Sequence, residues 1–184
     1  PAILQLHGSG ESGTDGLRPL IHGVPRSMLY HRERWPVLGV FPQKPSSKGL
    51  WPEQKDFLDA ILTQVEQDYE IHPRKCYLTG LSQGGHGTVM LAKALRWKFA
   101  AIAPVCGWAD ISQAANLLDT PIWAFHGARD EVVRPASSIE LIEALRQAGG
   151  NPKFTLYPDV GHNAWDHAYM DPAFSEWLLA QELP

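Results

Sequence analysis

Short apolar, β-branched runs alternate along the chain with longer stretches of helical period. Residues 2–7, 37–41, 75–79, 99–105, 122–126 and 153–157 read as strands. Several of these runs are almost continuously apolar, as expected of strands covered on both faces. Between them, residues 54–69 set Phe57, Leu58, Ile61, Leu62, Val65 and Tyr69 on one stripe at helical spacing. Residues 84–95 follow the third strand and carry Val89, Leu91, Ala92 and Leu95. Residues 135–148 repeat Ile139, Ile142 and Leu145, with Pro135 at the start and Gly149-Gly150 just past the end. Asp171-Pro172 caps a last helix that buries Phe174, Trp177 and Leu178. This alternation predicts an α/β fold, a mostly parallel sheet of about six strands with helices on both faces. Residues 9–36 are the least regular stretch, with room for one short helix.

Composition narrows the function classes. A chain of 184 residues, 44% hydrophobic and 20% charged, is expected to fold as one domain over residues 1–184. The net charge is −4, and the basic residues are scattered apart from His31-Arg32-Glu33-Arg34. A phosphate-backbone binder needs a concentrated positive footprint, so no nucleic-acid partner is expected. No apolar run reaches the roughly 18 residues of a membrane span. Cys76 and Cys106 fall at opposite ends of neighbouring strands, roughly 15 Å apart at about 3.3 Å per residue. That exceeds the ~7 Å a disulfide tolerates, so both are expected as free buried thiols that do not report the compartment. No signal peptide is visible between residues 1 and 184, and a secreted or extracytoplasmic location remains compatible. No Cys/His spacing suggests a metal site, and no cofactor is expected.

The strongest chemical signal is Gly80-Leu81-Ser82-Gln83-Gly84 between a strand and a helix. In that context a serine is held on a strained turn at the carboxyl end of the sheet, beside a helix N-terminus. A serine nucleophile needs a base, and the base needs an orienting carboxylate. Asp130 lies just past the strand 122–126 and His162 just past the strand 153–157. Both therefore reach the rim where Ser82 sits, the usual place for a site in an open α/β sheet. Asp110, Asp119, Glu131 and Asp159 are the competing carboxylates. The tetrahedral intermediate of acyl transfer needs backbone N–H donors. Gln83 is expected to supply one and the loop Leu6-His7-Gly8-Ser9-Gly10-Glu11-Ser12-Gly13 the other, from Ser9 first and Gly10 second.

These motifs, with Phe125-His126-Gly127-Ala128-Arg129-Asp130-Glu131-Val132-Val133 and Tyr157-Pro158-Asp159-Val160-Gly161-His162-Asn163-Ala164-Trp165, give the chain a resemblance to α/β-hydrolases. Within that superfamily it resembles the phospholipase/carboxylesterase branch, which includes predicted peptidases and feruloyl-esterase-like members. The resemblance covers nearly the whole chain and implies Ser82, Asp130 and His162 as the triad. It also implies hydrolysis of short-acyl or aryl esters, free or linked to polysaccharide. Gln83 stands where many relatives carry Met, and His86 where an aromatic residue is common. The superfamily's usual strands ahead of the His-Gly loop are reduced or missing. With Pro1 in place of an initiator Met, this suggests the C-terminal part of a longer chain with a possible upstream domain.

Three local expectations complete the reading. Residues 106–120 are too few for a large cap, which favours soluble or polymer-attached esters. Trp51, Trp108 and Trp165, together with His86, are the candidate substrate contacts. His7 and His126 each precede a glycine at a strand end and are expected to shape loops by hydrogen bonding. A histidine base predicts activity that rises through near-neutral pH. Two alternatives remain open: a serine peptidase or amidase on the same triad, and a catalytically silent binding module.

Overall fold

The computed structural model describes all residues 1–184. Six strands, β1 (Ala2–Leu6), β2 (Leu38–Val40), β3 (Cys76–Leu81), β4 (Ala101–Val105), β5 (Trp123–Gly127) and β6 (Lys153–Tyr157), form one sheet in the order β2-β1-β3-β4-β5-β6. Every pairing is parallel. The helices are α1 (Val24–Tyr30), α2 (Lys55–Asp68), α3 (Gln83–Leu91), α4 (Ala136–Gln147), α5 (Trp165–Ala168) and α6 (Pro172–Leu179). No helix is long and apolar enough to cross a membrane.

Side chains of a strand point alternately to its two faces, and the core divides accordingly. Leu4, Leu6, Leu78 and Ile102 join one buried cluster with Leu58, Leu62, Val89, Leu141, Ile142 and Leu145. Ile3, Tyr77, Ala101, Ala103 and Phe125 face the other way, against Val24, Phe174 and Leu178. Phe174 contacts the rings of Trp35, Trp123, Phe125 and Tyr169, which fastens α6 to that side. Asp171 starts α6 by accepting a hydrogen bond from the Ala173 N–H at 2.9 Å. Asp171→Ala should therefore cost about 1 kcal/mol, read as a lowered urea midpoint at unchanged m-value. An unchanged midpoint would show that the cap adds nothing.

Several boundaries differ from the sequence expectation. The third strand runs on to Leu81, and the helix after it occupies Gln83–Leu91, so a single residue, Ser82, makes the turn. The irregular stretch does hold the one short helix expected there, α1, opened by Gly23 at φ 75° and Pro25 at the second helical position. In α2, Leu58 and Leu62 are buried, whereas Phe57, and Tyr69 just past the helix end, are exposed. The sheet covers a narrower stripe of this helix than the apolar pattern suggested. Cys76 and Cys106 are both free and buried.

β1 lies between β2 and β3, so the chain goes outward to β2 and then returns past β1 to build the rest of the sheet. Loops leaving β1 and β3 therefore part in opposite directions and open a crevice at the carboxyl ends of the strands. In open α/β sheets this switch point is where ligands bind.

Candidate active site

Ser82 stands in that crevice with φ 54° and ψ −117°, a conformation that L-residues rarely adopt. Such strain persists only where the surroundings over-determine it. Ser82 N–H donates to the Val105 carbonyl at 2.9 Å, which ties the turn to β4. A Cβ at Gly80 would strike the Gly84 and Leu6 carbonyls, and one at Gly84 would strike Leu6 and His7 backbone. Only glycine at both positions lets strand, turn and helix close this tightly.

The loops that follow β5 and β6 meet at the same rim. Ala128 N–H donates to the Tyr157 carbonyl and Arg129 N–H to the Val160 carbonyl, which locks the two loops together. His162 Nε2 lies 2.9 Å from Ser82 Oγ, and His162 Nδ1 lies 2.7 Å from Asp130 Oδ2. Asp130 Oδ1 accepts the Val132 and Val133 N–H groups, both at 2.9 Å. Burial alone would raise the Asp130 pKa. The hydrogen bond from His162 and those from the Val133 and Val132 N–H groups outweigh it and hold the carboxyl below its ordinary value. Three of the four competing carboxylates are engaged elsewhere: Asp110 caps a 3-10 helix, Asp119 pairs with Lys93 and Asp159 with Arg129, while Glu131 is exposed.

Gln83 opens α3, so its N–H is among the donors without an intrahelical partner. Opposite it, Ser9 opens a 3-10 turn, Ser9–Glu11. That loop crosses close to Ser82, since a Cβ placed on Gly8 would lie 3.4 Å from Ser82 Cβ. His7 braces the loop. Its Nδ1 bonds to the Gly8 carbonyl and its Nε2 accepts the Lys44 N–H at 2.9 Å, so Nδ1 carries the proton. Burial lowers the His7 pKa, which favours this neutral ring.

The four expected substrate contacts separate in the structure. Trp51 is wholly buried, and its Nε1 donates to the His7 carbonyl at 2.8 Å. The residue belongs to a 3-10 helix, Trp51–Gln54, and lies edge-on to His7, so this buried ring supports the β1 loop and presents no surface to the crevice. His86 is also buried, stacked on Trp108 with ring centroids 4.6 Å apart and its Nδ1 3.0 Å from the Trp108 carbonyl. Trp108 and Trp165 remain partly exposed, and the Trp165 ring stands edge-on to His162 at 5.2 Å.

Lys44 gave no sequence signal, yet it is buried, and its Nζ donates to the Gly49 carbonyl at 2.7 Å. Gln83 Nε2 reaches the same carbonyl at 3.2 Å, so the segment after β2 is tied to the helix that follows Ser82.

A sequence profile of the phospholipase/carboxylesterase family matches residues 31–173. The chain belongs to that family. It is 32% identical over 124 residues to acyl-protein thioesterase 1 of Neurospora crassa, covering 63% of this chain and 50% of that protein. It is 29% identical over 116 residues to a probable feruloyl esterase C of Aspergillus niger, covering 61% of this chain and 42% of the relative. A thermostable esterase structure superposes with TM-score 0.86 at 29% identity, over 100% of this chain and 55% of that one. The family member described here thus spans about half the length of the thioesterase and of the esterase structure.

Proposed function

We propose that this chain is a serine hydrolase acting on carboxylic esters through an acyl-enzyme. The observation that carries the reading is the continuous contact from Ser82 Oγ to His162 Nε2 and from His162 Nδ1 to Asp130 Oδ2, at 2.9 and 2.7 Å. His162 takes the Ser82 proton as Oγ attacks the ester carbonyl. The Gln83 and Ser9 N–H groups, with Gly10 beside them, receive the oxyanion. His162 then protonates the leaving alcohol, and a water deprotonated by the same imidazole releases the acid. Asp130 holds the imidazole in the Nδ1–H tautomer and stabilises the imidazolium.

Intact-mass measurement after treatment with a fluorophosphonate tests this directly. One adduct on the wild-type protein and none on Ser82→Ala is the expected result. An unmodified wild-type protein would overturn the assignment.

The preferred substrates in this reading are short-acyl or aryl esters, free or attached to a polysaccharide. Only residues 106–122 separate β4 from β5, and they hold one 3-10 helix, Ile111–Leu117, in place of a cap. Trp165, edge-on to His162, and Trp108, stacked on His86, offer partly exposed aromatic surface suited to a planar or sugar-linked group. A feruloyl esterase among the relatives supports the aryl side of this range. On p-nitrophenyl esters, kcat/KM should fall from acetate and butyrate to decanoate, with no jump at the micellar threshold. A preference for long-chain triglyceride emulsions would contradict an open, uncapped site.

A further inference from the structure

A second imidazole stands behind Asp130. His126 lies in β5, is wholly buried, and places Nε2 3.1 Å from Asp130 Oδ2, the oxygen that also meets His162 Nδ1. The same Nε2 bonds to the Val133 carbonyl at 2.9 Å, and Nδ1 bonds to Ser138 Oγ at 2.7 Å. Both neighbours of Nε2 are acceptors, so this nitrogen carries the proton and points it at them. Nδ1 is then a lone pair that takes the hydroxyl proton of Ser138, a residue in the first turn of α4 whose Oγ is 2.7 Å from Nδ1 and 3.4 Å from its other acceptor, the Gly107 carbonyl.

We propose that His126 is a positioning residue for the catalytic carboxylate, with its tautomer set by the acceptors at Nε2 and its ring held in place by Ser138 at Nδ1. This rests on the Ser82–His162–Asp130 reading. The Val133 carbonyl held by His126 belongs to the turn whose N–H groups grip Asp130 Oδ1. The Nε2–H edge of the ring meanwhile lies 3.1 Å from Oδ2, the oxygen that meets His162 Nδ1. The carboxylate is thereby held by protein on both oxygens while Oδ2 meets His162 Nδ1.

Both features of the ring matter. In the reversed tautomer, a lone pair would face a carbonyl and a carboxylate at once. An imidazolium would draw the Asp130 charge away from His162. The titratable groups that face His126 are Asp130, His162 and Cys106. Burial lowers the His126 pKa and keeps the ring neutral between them. Cys106, His126 and Asp130 offer ligand atoms within 4.8 Å of one another, a spacing a metal could use. Each His126 nitrogen and each Asp130 oxygen already has a protein partner, however, and burial pushes the Cys106 thiol up to about 12. Hydrogen bonding accounts for the cluster.

The test compares Ser138→Ala, His126→Phe and His126→Gln with the wild type in kcat, KM and the pH profile of kcat/KM. It adds the low-field NMR signal of the His162 Nδ1 proton. Ser138→Ala and His126→Phe should each lower kcat by about tenfold to 100-fold and leave KM within about twofold. A less well-held Asp130 stabilises the imidazolium less, so the acid limb should move to lower pH and the low-field signal should shift or broaden. His126→Gln, whose amide nitrogen reaches the place of Nε2, should restore the limb. If His126→Phe does not fold, Ser138→Ala carries the comparison alone. An unmoved limb and signal in the folded variants would overturn the proposal, whatever the loss in kcat. Fluorophosphonate labelling of the wild type separates the two failures. A labelled wild type with unmoved variants sinks only the His126 role, whereas an unlabelled wild type sinks the triad.

Discussion

Asp130→Asn should lower kcat by about 10⁴-fold with little change in KM. The size of the effect follows from which atom of the amide lands where. Oδ1 of Asp130 accepts two backbone N–H groups, from Val132 and Val133, and that position demands an oxygen. The amide nitrogen is therefore forced into the place of Oδ2, facing His162 Nδ1 and His126 Nε2. A donor there cannot accept the Nδ1 proton, so His162 turns to the tautomer with its proton on Nε2. That nitrogen then has no lone pair for the Ser82 hydroxyl, and the base is lost while the fold is kept. Steady-state kinetics on a p-nitrophenyl ester, with the Tm as a folding control, measures it. A variant that keeps a tenth or more of the wild-type kcat would show that Asp130 does not set the tautomer.

The strand ends were the legible part of this site. Ser82, Asp130 and His162 each follow a short apolar run, and parallel strands deliver their carboxyl ends to one rim. Local pattern was enough there because strand direction, once parallel, decides where every following loop emerges. The supporting residues were less visible. Trp51 lies between Leu50 and Pro52 in no periodic pattern, and its burial is decided by the His7 carbonyl, 44 residues earlier in the chain. Lys44 reads as an ordinary surface lysine until the Gly49 carbonyl is brought over its Nζ. Ser138 sits in a helical pattern as one polar position among several, and its role depends on β5 passing beside it. His7 and His126 were readable as loop-shaping residues from their places before glycine. What each one holds could be known only from the contacts. Phe57 and Tyr69 show the converse, since periodicity describes a helix face without saying how much of it the sheet covers.

His7→Phe should lower kcat by about 10²–10³-fold, although His7 lies outside the proposed triad. The Gly8–Ser9 peptide is planar and trans, so its carbonyl and its N–H point in opposite directions. His7 Nδ1–H holds that carbonyl, and this aims the Ser9 N–H away from His7. Phenylalanine keeps the ring volume under Trp51 but leaves the Gly8 carbonyl and the Lys44 N–H without partners. The peptide is then free to rotate, and the oxyanion donor is lost from its place. Ser9→Pro removes the donor itself and should reproduce the loss. Gly8 is already extended at φ −76° and ψ −179°, as a residue before proline must be. Ser9 opens its 3-10 turn, the position where a ring nitrogen is tolerated. The two substitutions act on opposite ends of one peptide unit, so a double variant should be barely slower than either single one. Losses that multiply in the double variant would place the oxyanion donor elsewhere in the loop, with Gly10 the next residue to test.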